Sequence, residues 1–224
     1  MKKNVLFAVL AMAVLVGLAQ AQPAEPYRLA FITLPVYDAL NPDIASYNAI
    51  IQMEADIAGI GAGSGLGDGD TSWTVIGSTD QIDARDNTGT NPLVDGVGVP
   101  IYLCDFTTKV VDDNLDLWDG DVDNVISKDQ FGNPSAGHLW AFTGTYKDGT
   151  KHSYGLYANA GGPLGNPGEV SQGNGGVTTD WVWRQWTSDP GATLLPLYGL
   201  SEIIPEPASM CLLGLGGLLL RRKR

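Results

Sequence analysis

The chain has 224 residues, with 13 lysines and arginines against 25 aspartates and glutamates, and a formal net charge of −12 at pH 7. Six of the basic residues, Lys2, Lys3, Arg221, Arg222, Lys223 and Arg224, stand at the two ends, so the body from Gln22 to Glu206 holds seven cations against all 25 acids, a balance of −18. Such a surface repels phosphate backbones and anionic headgroups, which excludes a nucleic-acid partner and leaves cations and neutral sugars as the small ligands it suits.

The amino terminus reads Lys2-Lys3, an apolar run over 5–18, and Ala19-Gln20-Ala21, a small-x-small site for cleavage before Gln22. This is the pattern of a secretory signal peptide, a substrate of Sec-type export machinery. Residues 1–21 are therefore the signal, 22–204 one globular exported domain, and 205–224 a separate tail; a body of about 185 residues is enough for one well-buried core. Cys104 is the body's single thiol, because Cys211 lies in the tail, so no disulfide can staple the body and the core alone must stabilise it. In Pro100-Ile101-Tyr102-Leu103-Cys104 that thiol reads as a buried strand residue.

Residues 27–33 form the first predicted strand. Asn41-Pro42-Asp43 then supplies a turn and an N-cap for a helix whose Ile44, Tyr47, Ile50, Ile51, Glu54, Ile57 and Ala58 recur at three- and four-residue spacing. The glycine-rich run over 59–67 stops it. That run is no nucleotide loop, since it follows a helix and lacks a closing Lys-Ser/Thr. Next come a strand over 72–77, a polar turn over 83–87, and a loop through Asn91, Pro92 and Gly98. A strand over 99–106 is apolar on both faces, hence interior, and 109–111 extends the same ladder. Acid dominates 112–130. Asp148-Gly149 centres a predicted hairpin with arms over 137–146 and 151–157. Residues 158–178 lack an apolar period and read as a long loop, a length that suggests function. An aromatic strand over 181–186 and a closing strand over 194–204 complete the body.

One early amphipathic helix among many short strands and long loops specifies an α+β domain with an antiparallel sheet. The two end strands are placed to pair. On 27–33, 46–59, 181–186 and 198–203 the arrangement resembles the C-type-lectin-like fold, without that fold's disulfide cysteines or its Trp-Asn-Asp calcium motif. A β-sandwich with an inserted helix is the alternative.

The richest constellation of ligand-type side chains is acidic. Asp119, Asp121 and Asp123 have the one-three-five spacing of a calcium loop, with Asn124 for the turn and Ile126 at the apolar eighth position. Gln130 stands where a bidentate acid closes such a loop, with Asp129 beside it, so two readings stand: a calcium site of Asp119, Asp121, Asp123 and Asp129, or a solvated acidic loop. Trp181, Trp183 and Trp186 cannot all face inward from one flat strand, so they divide between core and a sugar-stacking platform beside Asp and Asn. His138 and His152 face each other across the predicted hairpin and read as polar packing. Gly63-Ser64-Gly65 lacks a nucleophile-elbow pattern, and no catalytic set is assigned.

The tail joins three parts: Pro205-Glu206-Pro207, an apolar run over 208–220, and Arg221-Arg222-Lys223-Arg224. Thirteen helical residues at about 1.5 Å each reach about 20 Å, short of a hydrocarbon core of about 30 Å, and the basic end favours the cytoplasmic side. Together the parts resemble the PEP-CTERM sorting signal of exported Gram-negative proteins. The resemblance implies recognition and processing by a membrane-embedded exosortase, with transient retention in the inner membrane before display at the cell surface or release. The expected function is that of an exported envelope protein or a component of an extracellular biofilm matrix, non-catalytic, binding polysaccharide or a surface partner. The alternative is a secreted glycan-active hydrolase.

Overall fold

The computed structural model describes residues 22–61, 66, 71–135, 140–152, 162–166, 168–184 and 188–205. Its centre is β1 (Arg28–Ile32), a strand buried along its whole length. Leu29 and Phe31 join one apolar cluster while Ala30 and Ile32 join another, as the two-residue period of a strand requires. Arg28, the one charged residue of β1, is buried with its guanidinium donating to the carbonyls of Thr88, Gly89 and Ser201.

β8 (Tyr198–Ser201) lies antiparallel against one edge of β1 and β3 (Ile101–Leu103) lies parallel against the other. β2 (Trp73–Val75) and β4 (Lys109–Val111) add antiparallel outer strands, completing a five-stranded order β2-β8-β1-β3-β4. The predicted pairing of the two end strands is thus present. A second, antiparallel sheet holds β5 (Trp140–Phe142), β6 (Glu169–Asn174) and β7 (Ser188–Pro190), and a bridge from Phe142 to Leu197 ties it to the first.

α1 (Ile44–Ile57) covers the Leu29 and Phe31 face through Tyr47, Ile51 and Ala55. The Asp43 carboxylate caps it by accepting from the Ala45 amide at 3.0 Å, and Gly59 at φ +73° ends it. Close approach of helix and sheet requires glycine at 199, where a Cβ would lie 2.7 Å from the Phe31 ring and 2.8 Å from Ile51. The opposite face is covered by Leu117, Trp118, Val122, Ile126 and Trp181, with two short helical turns, α2 (Ala84–Asn87) and α3 (Asn114–Leu117), alongside. A helix packed on one face of a largely antiparallel sheet makes the fold α+β.

Three local expectations are corrected. The predicted loop over 158–178 contains β6, the central strand of the second sheet; its Ser171, Gln172 and Asn174 are buried polar residues that carry no apolar period. The predicted aromatic strand over 181–186 does not begin as one: a 3-10 turn (Thr178–Asp180) precedes it and Trp181 is helical at φ −58° and ψ −38°. Gly173 explains the packing there, because any Cβ would meet the Trp181 carbonyl at 1.9 Å. The predicted polar turn over 83–87 is α2. The tight turn predicted at Asp148-Gly149 forms, with Gly149 at φ +78° and a bridge from Thr145 to Lys151 closing it, and Trp140–Phe142 pairs along one edge with β6. Residues 153–157 of its predicted second arm (151–157) lie outside the described residues.

A buried polar clamp joins three segments. Tyr37 donates its hydroxyl to one oxygen of Glu54, the Gln130 amide donates to the other at 2.6 Å, and the Leu34 amide donates back to Gln130 at 3.0 Å. Glu54 is 3% exposed, so losing one donor leaves carboxylate oxygen desolvated without compensation. Gln130→Leu is expected to lower unfolding free energy by about 1–3 kcal/mol in urea titration. Phe131→Ala, at a half-exposed neighbour, is expected to leave the midpoint nearly unchanged.

Candidate functional site

Where β4 ends, the chain turns through Asp112 and Asp113 into α3. Asp113 caps that turn by accepting from the amides of Leu115 and Asp116, and Asp116 accepts from the Asp112 amide at 2.7 Å. The following loop folds back, with the Asp123 amide donating to the Val110 carbonyl at 2.9 Å and the Asn124 side chain to the Lys109 carbonyl. These contacts bring oxygens of Asp112, Asp116 and Asp123 within 4.8 Å of one another. Burial lifts the Asp116 carboxyl above its ordinary range, the Asp112 amide opposes, and the charges of Asp123, Asp119 and Asp112 add to the rise. Lys109 pairs with Asp112, which holds its ammonium protonated to higher pH.

Only Asp123 of the predicted calcium set belongs to this group. Asp119 accepts from the Asp121 amide, Asp121 from the Val122 amide, and Asp129 is buried and closes a turn by accepting from the amides of Phe131 and Asn133. Asp112 and Asp116 were open to sequence reasoning only as members of the acidic run; their convergence comes from the fold-back onto β4.

The tryptophans also divide. Trp181 is 1% exposed and packs against Trp118 at 5.9 Å and Tyr198 at 6.2 Å, so its ring has no face for a sugar. Trp183 is half-buried beside Tyr146 and His152, and Trp186 lies outside the described residues, as does His138. Arg184 stacks over Trp140 at 5.1 Å. Cys104 is buried, and desolvation, with Asp129 and Asp105 nearby, pushes its thiol far above the reactive range.

Beside the acidic corner lies a feature that sequence reading missed. Pro92, Leu93, Gly96, Val97, Asp113 and Leu115 line an open groove of about 330 Å³, and Leu93, Val97 and Leu115 are 85%, 73% and 64% exposed. The loop's Leu93, Val94 and Val97, set among Pro and Gly without a strand or helix period, were the available signal.

At the carboxy-terminal end of the body, Ile204 exchanges two backbone hydrogen bonds with Tyr27, at 2.7 and 3.0 Å, and is buried. Pro205 follows directly; Glu206, Pro207 and Arg221, Arg222, Lys223 and Arg224 lie outside the described residues, as do Ala19 and Ala21, while Gln22 begins them. Among the described residues no helix is long and apolar enough to cross a membrane. No curated protein matches the chain. Residues 204–224 match the PEP-CTERM protein-sorting motif, so the chain carries a sorting signal for exosortase processing that marks it for export and membrane anchoring before cleavage, and the match begins at Ile204, the residue bridged to Tyr27.

Proposed function

We propose that this exported, exosortase-sorted protein is non-catalytic and that its folded body binds extracellular polysaccharide or a surface partner once sorting has delivered it. The observation that carries the reading is the sorting motif at residues 204–224, joined to a body whose 25 acids suit an extracellular surface. Glycan-array binding by the mature protein, with no reducing-sugar release, is the expected result. Sugar release that disappears on substitution of one carboxylate would replace this reading with a secreted glycan hydrolase.

Processing is tested apart from binding. Two prolines keep the recognition segment extended, so a membrane-bound enzyme can read Pro205-Glu206-Pro207 as a strand. Pro205→Ala with Pro207→Ala, or deletion of Arg221, Arg222, Lys223 and Arg224, is expected to leave an uncleaved form in the inner membrane with its signal peptide removed. Mass spectrometry of the surface-exposed wild type is expected to find a carboxy terminus upstream of Arg224; an intact Arg224 would make the tail a plain anchor.

A cation role for the acidic corner is favoured by the convergence of Asp112, Asp116 and Asp123, whose Asp116 carboxyl is lifted by burial first and then by the charges of Asp123, Asp119 and Asp112. Calcium takes six to eight oxygen ligands, of which three carboxylates would be the protein's share and water the remainder. A site of about 0.1 mM in about 10 mM calcium adds about 2.7 kcal/mol, or roughly 5–10 °C in Tm for a body of this size. Asp116→Asn is expected to raise Tm in chelator and to abolish most of the calcium shift. Equal Tm in calcium and chelator for the wild type would remove calcium from the proposal.

A further inference from the structure

The sorting motif has no spacer. Its first residue, Ile204, is hydrogen-bonded to Tyr27 beside β1, and three residues, Pro205 to Pro207, can span at most about 10 Å beyond it even at full strand rise. Any protein that grips those three residues must therefore touch the end of the folded body from which they leave.

The strand registers identify what else occupies that end. Tyr27 pairs with Ile204, the Arg28 amide donates to the Pro100 carbonyl, and Ile101 is opposite Val111, so the start of β1, the start of β3 and the end of β4 lie in one row with the tail exit. Three strand spacings of about 4.8 Å put Val111 about 14 Å from Ile204. The groove of Leu93, Val97 and Leu115 is built from the loop that enters β3 and the turn that leaves β4, at this same end. Ile203, 46% exposed, continues the apolar character toward the exit.

The groove is preformed. The Asn114 amide donates to the Val97 carbonyl at 2.8 Å and its side chain to the Gly96 carbonyl at 3.0 Å, while the amides of Val94 and Asp95 donate to the Asn91 carbonyl. Gly98, at φ +79°, admits no side chain, since a Cβ would sit 2.3 Å from Asn114 Oδ1. Apolar side chains are thus held into solvent by a fixed backbone, the arrangement expected of a contact surface.

Charge selects among occupants. Asp95 is exposed in the loop between Leu93 and Gly96, Asp113 lines the groove, and Asp112 beside it is paired with Lys109, which leaves the rim net acidic. Anionic lipid headgroups are repelled by such a rim, and a second copy in a two-fold contact would set like charges against each other. A protein face offering an apolar knob within a basic border fits.

We propose that the Leu93, Val97 and Leu115 groove seats the body on the outer face of the membrane-embedded sorting enzyme while that enzyme reads Pro205-Glu206-Pro207. The inference rests on processing of the tail by that enzyme. Because the tail already holds the partners together, a weak patch suffices: tethering supplies a high effective concentration, and the groove sets orientation.

The test uses the full-length protein in cells with and without the sorting enzyme, followed by pulse-chase. Wild type that is never cleaved in enzyme-bearing cells refutes sorting itself, and with it this proposal. Given wild-type cleavage, the triple variant Leu93→Ser, Val97→Ser, Leu115→Ser is expected to be processed about tenfold more slowly, the loss typical of a few central contact residues. Its Tm is expected to match wild type, because all three side chains are largely exposed. A flexible Gly/Ser spacer of about ten residues between Ile204 and Pro205, reaching about 16 Å, is expected to restore the triple variant's rate. A photo-crosslinking residue at 93 is expected to capture the enzyme, and one at Phe131, by the far end of β1, is not. A triple variant processed at the wild-type rate overturns the proposal. So does wild-type self-association, or flotation with phosphatidylglycerol vesicles, that the triple variant loses, since either assigns the groove to another occupant.

Discussion

β1 has no face for solvent, and covering it organises the domain. Leu29 and Phe31 on one side and Ala30 and Ile32 on the other each need an apolar lid, which α1 supplies for the first and Trp118, Trp181 and Val122 for the second. Fully burying side chains of this size is worth about 1.5–3 kcal/mol each, so a strand apolar on both faces is a strong seed for two layers. Its two edges must also be paired, because an unpaired buried amide or carbonyl loses its hydrogen bond without recovering one from water. β3 takes one edge. The other falls to β8, the last strand of the body, and so Tyr27 and Ile204 meet. The amino-terminal end of the described body and the end that carries the sorting motif consequently leave the domain side by side.

That geometry gives the acidic surface a second meaning. Acids dispersed over a body of this kind keep it soluble and apart from other copies of itself. Here they also border the exposed Leu93, Val97 and Leu115, where an apolar groove without charge around it would favour indiscriminate contact. Asp112 sits between the two features: it joins Asp116 and Asp123 in the convergent group and stands next to Asp113 in the groove wall. Burial lifts the Asp116 carboxyl, and the charges of Asp123, Asp119 and Asp112 add to the rise, the local cost of gathering these acids at one end.

What could be read from the sequence depended on how local the physics was. The helix was legible because Asp43, the spacing of Tyr47, Ile51 and Ala55, and Gly59 are neighbours along the chain and each acts on α1 directly. The interior strands were legible because Leu29 to Ile32 and Ile101 to Leu103 are apolar without interruption. β6 was not, since Ser171, Gln172, Gly173 and Asn174 look like loop residues until Trp181 is packed over Gly173. Trp181 itself misled in the same way: three tryptophans in six residues suggest a strand, whereas the first caps a 3-10 turn and enters the core. The one-three-five aspartate pattern selected Asp119 and Asp121, but backbone amides nearby claim both, and the convergent partners of Asp123 come from eleven and seven residues upstream through a tertiary fold-back. The sorting motif was legible in full, because its parts are consecutive along the chain and owe nothing to the fold.

The absence of a spacer would matter little if the last strand could peel away to lend the motif more reach. β8 is a poor candidate for peeling: it pairs with β1 on one side and β2 on the other, and Tyr198 and Leu200 are buried in the second core. Freeing it would break two ladders at once and expose both side chains, which places such an opening near the global unfolding free energy and far above the fraying of an edge strand. Arg28 reinforces the point, for its guanidinium donates to the Ser201 carbonyl and, from the same buried position, to Thr88 and Gly89. Glu202 is held as well, its carboxylate accepting from the Ser72 amide and hydroxyl. The fold therefore fixes where the sorting signal starts. A body anchored this firmly up to Ile204 fixes the point from which Pro205 leaves, with the acidic corner and the apolar groove at the same end of the sheet.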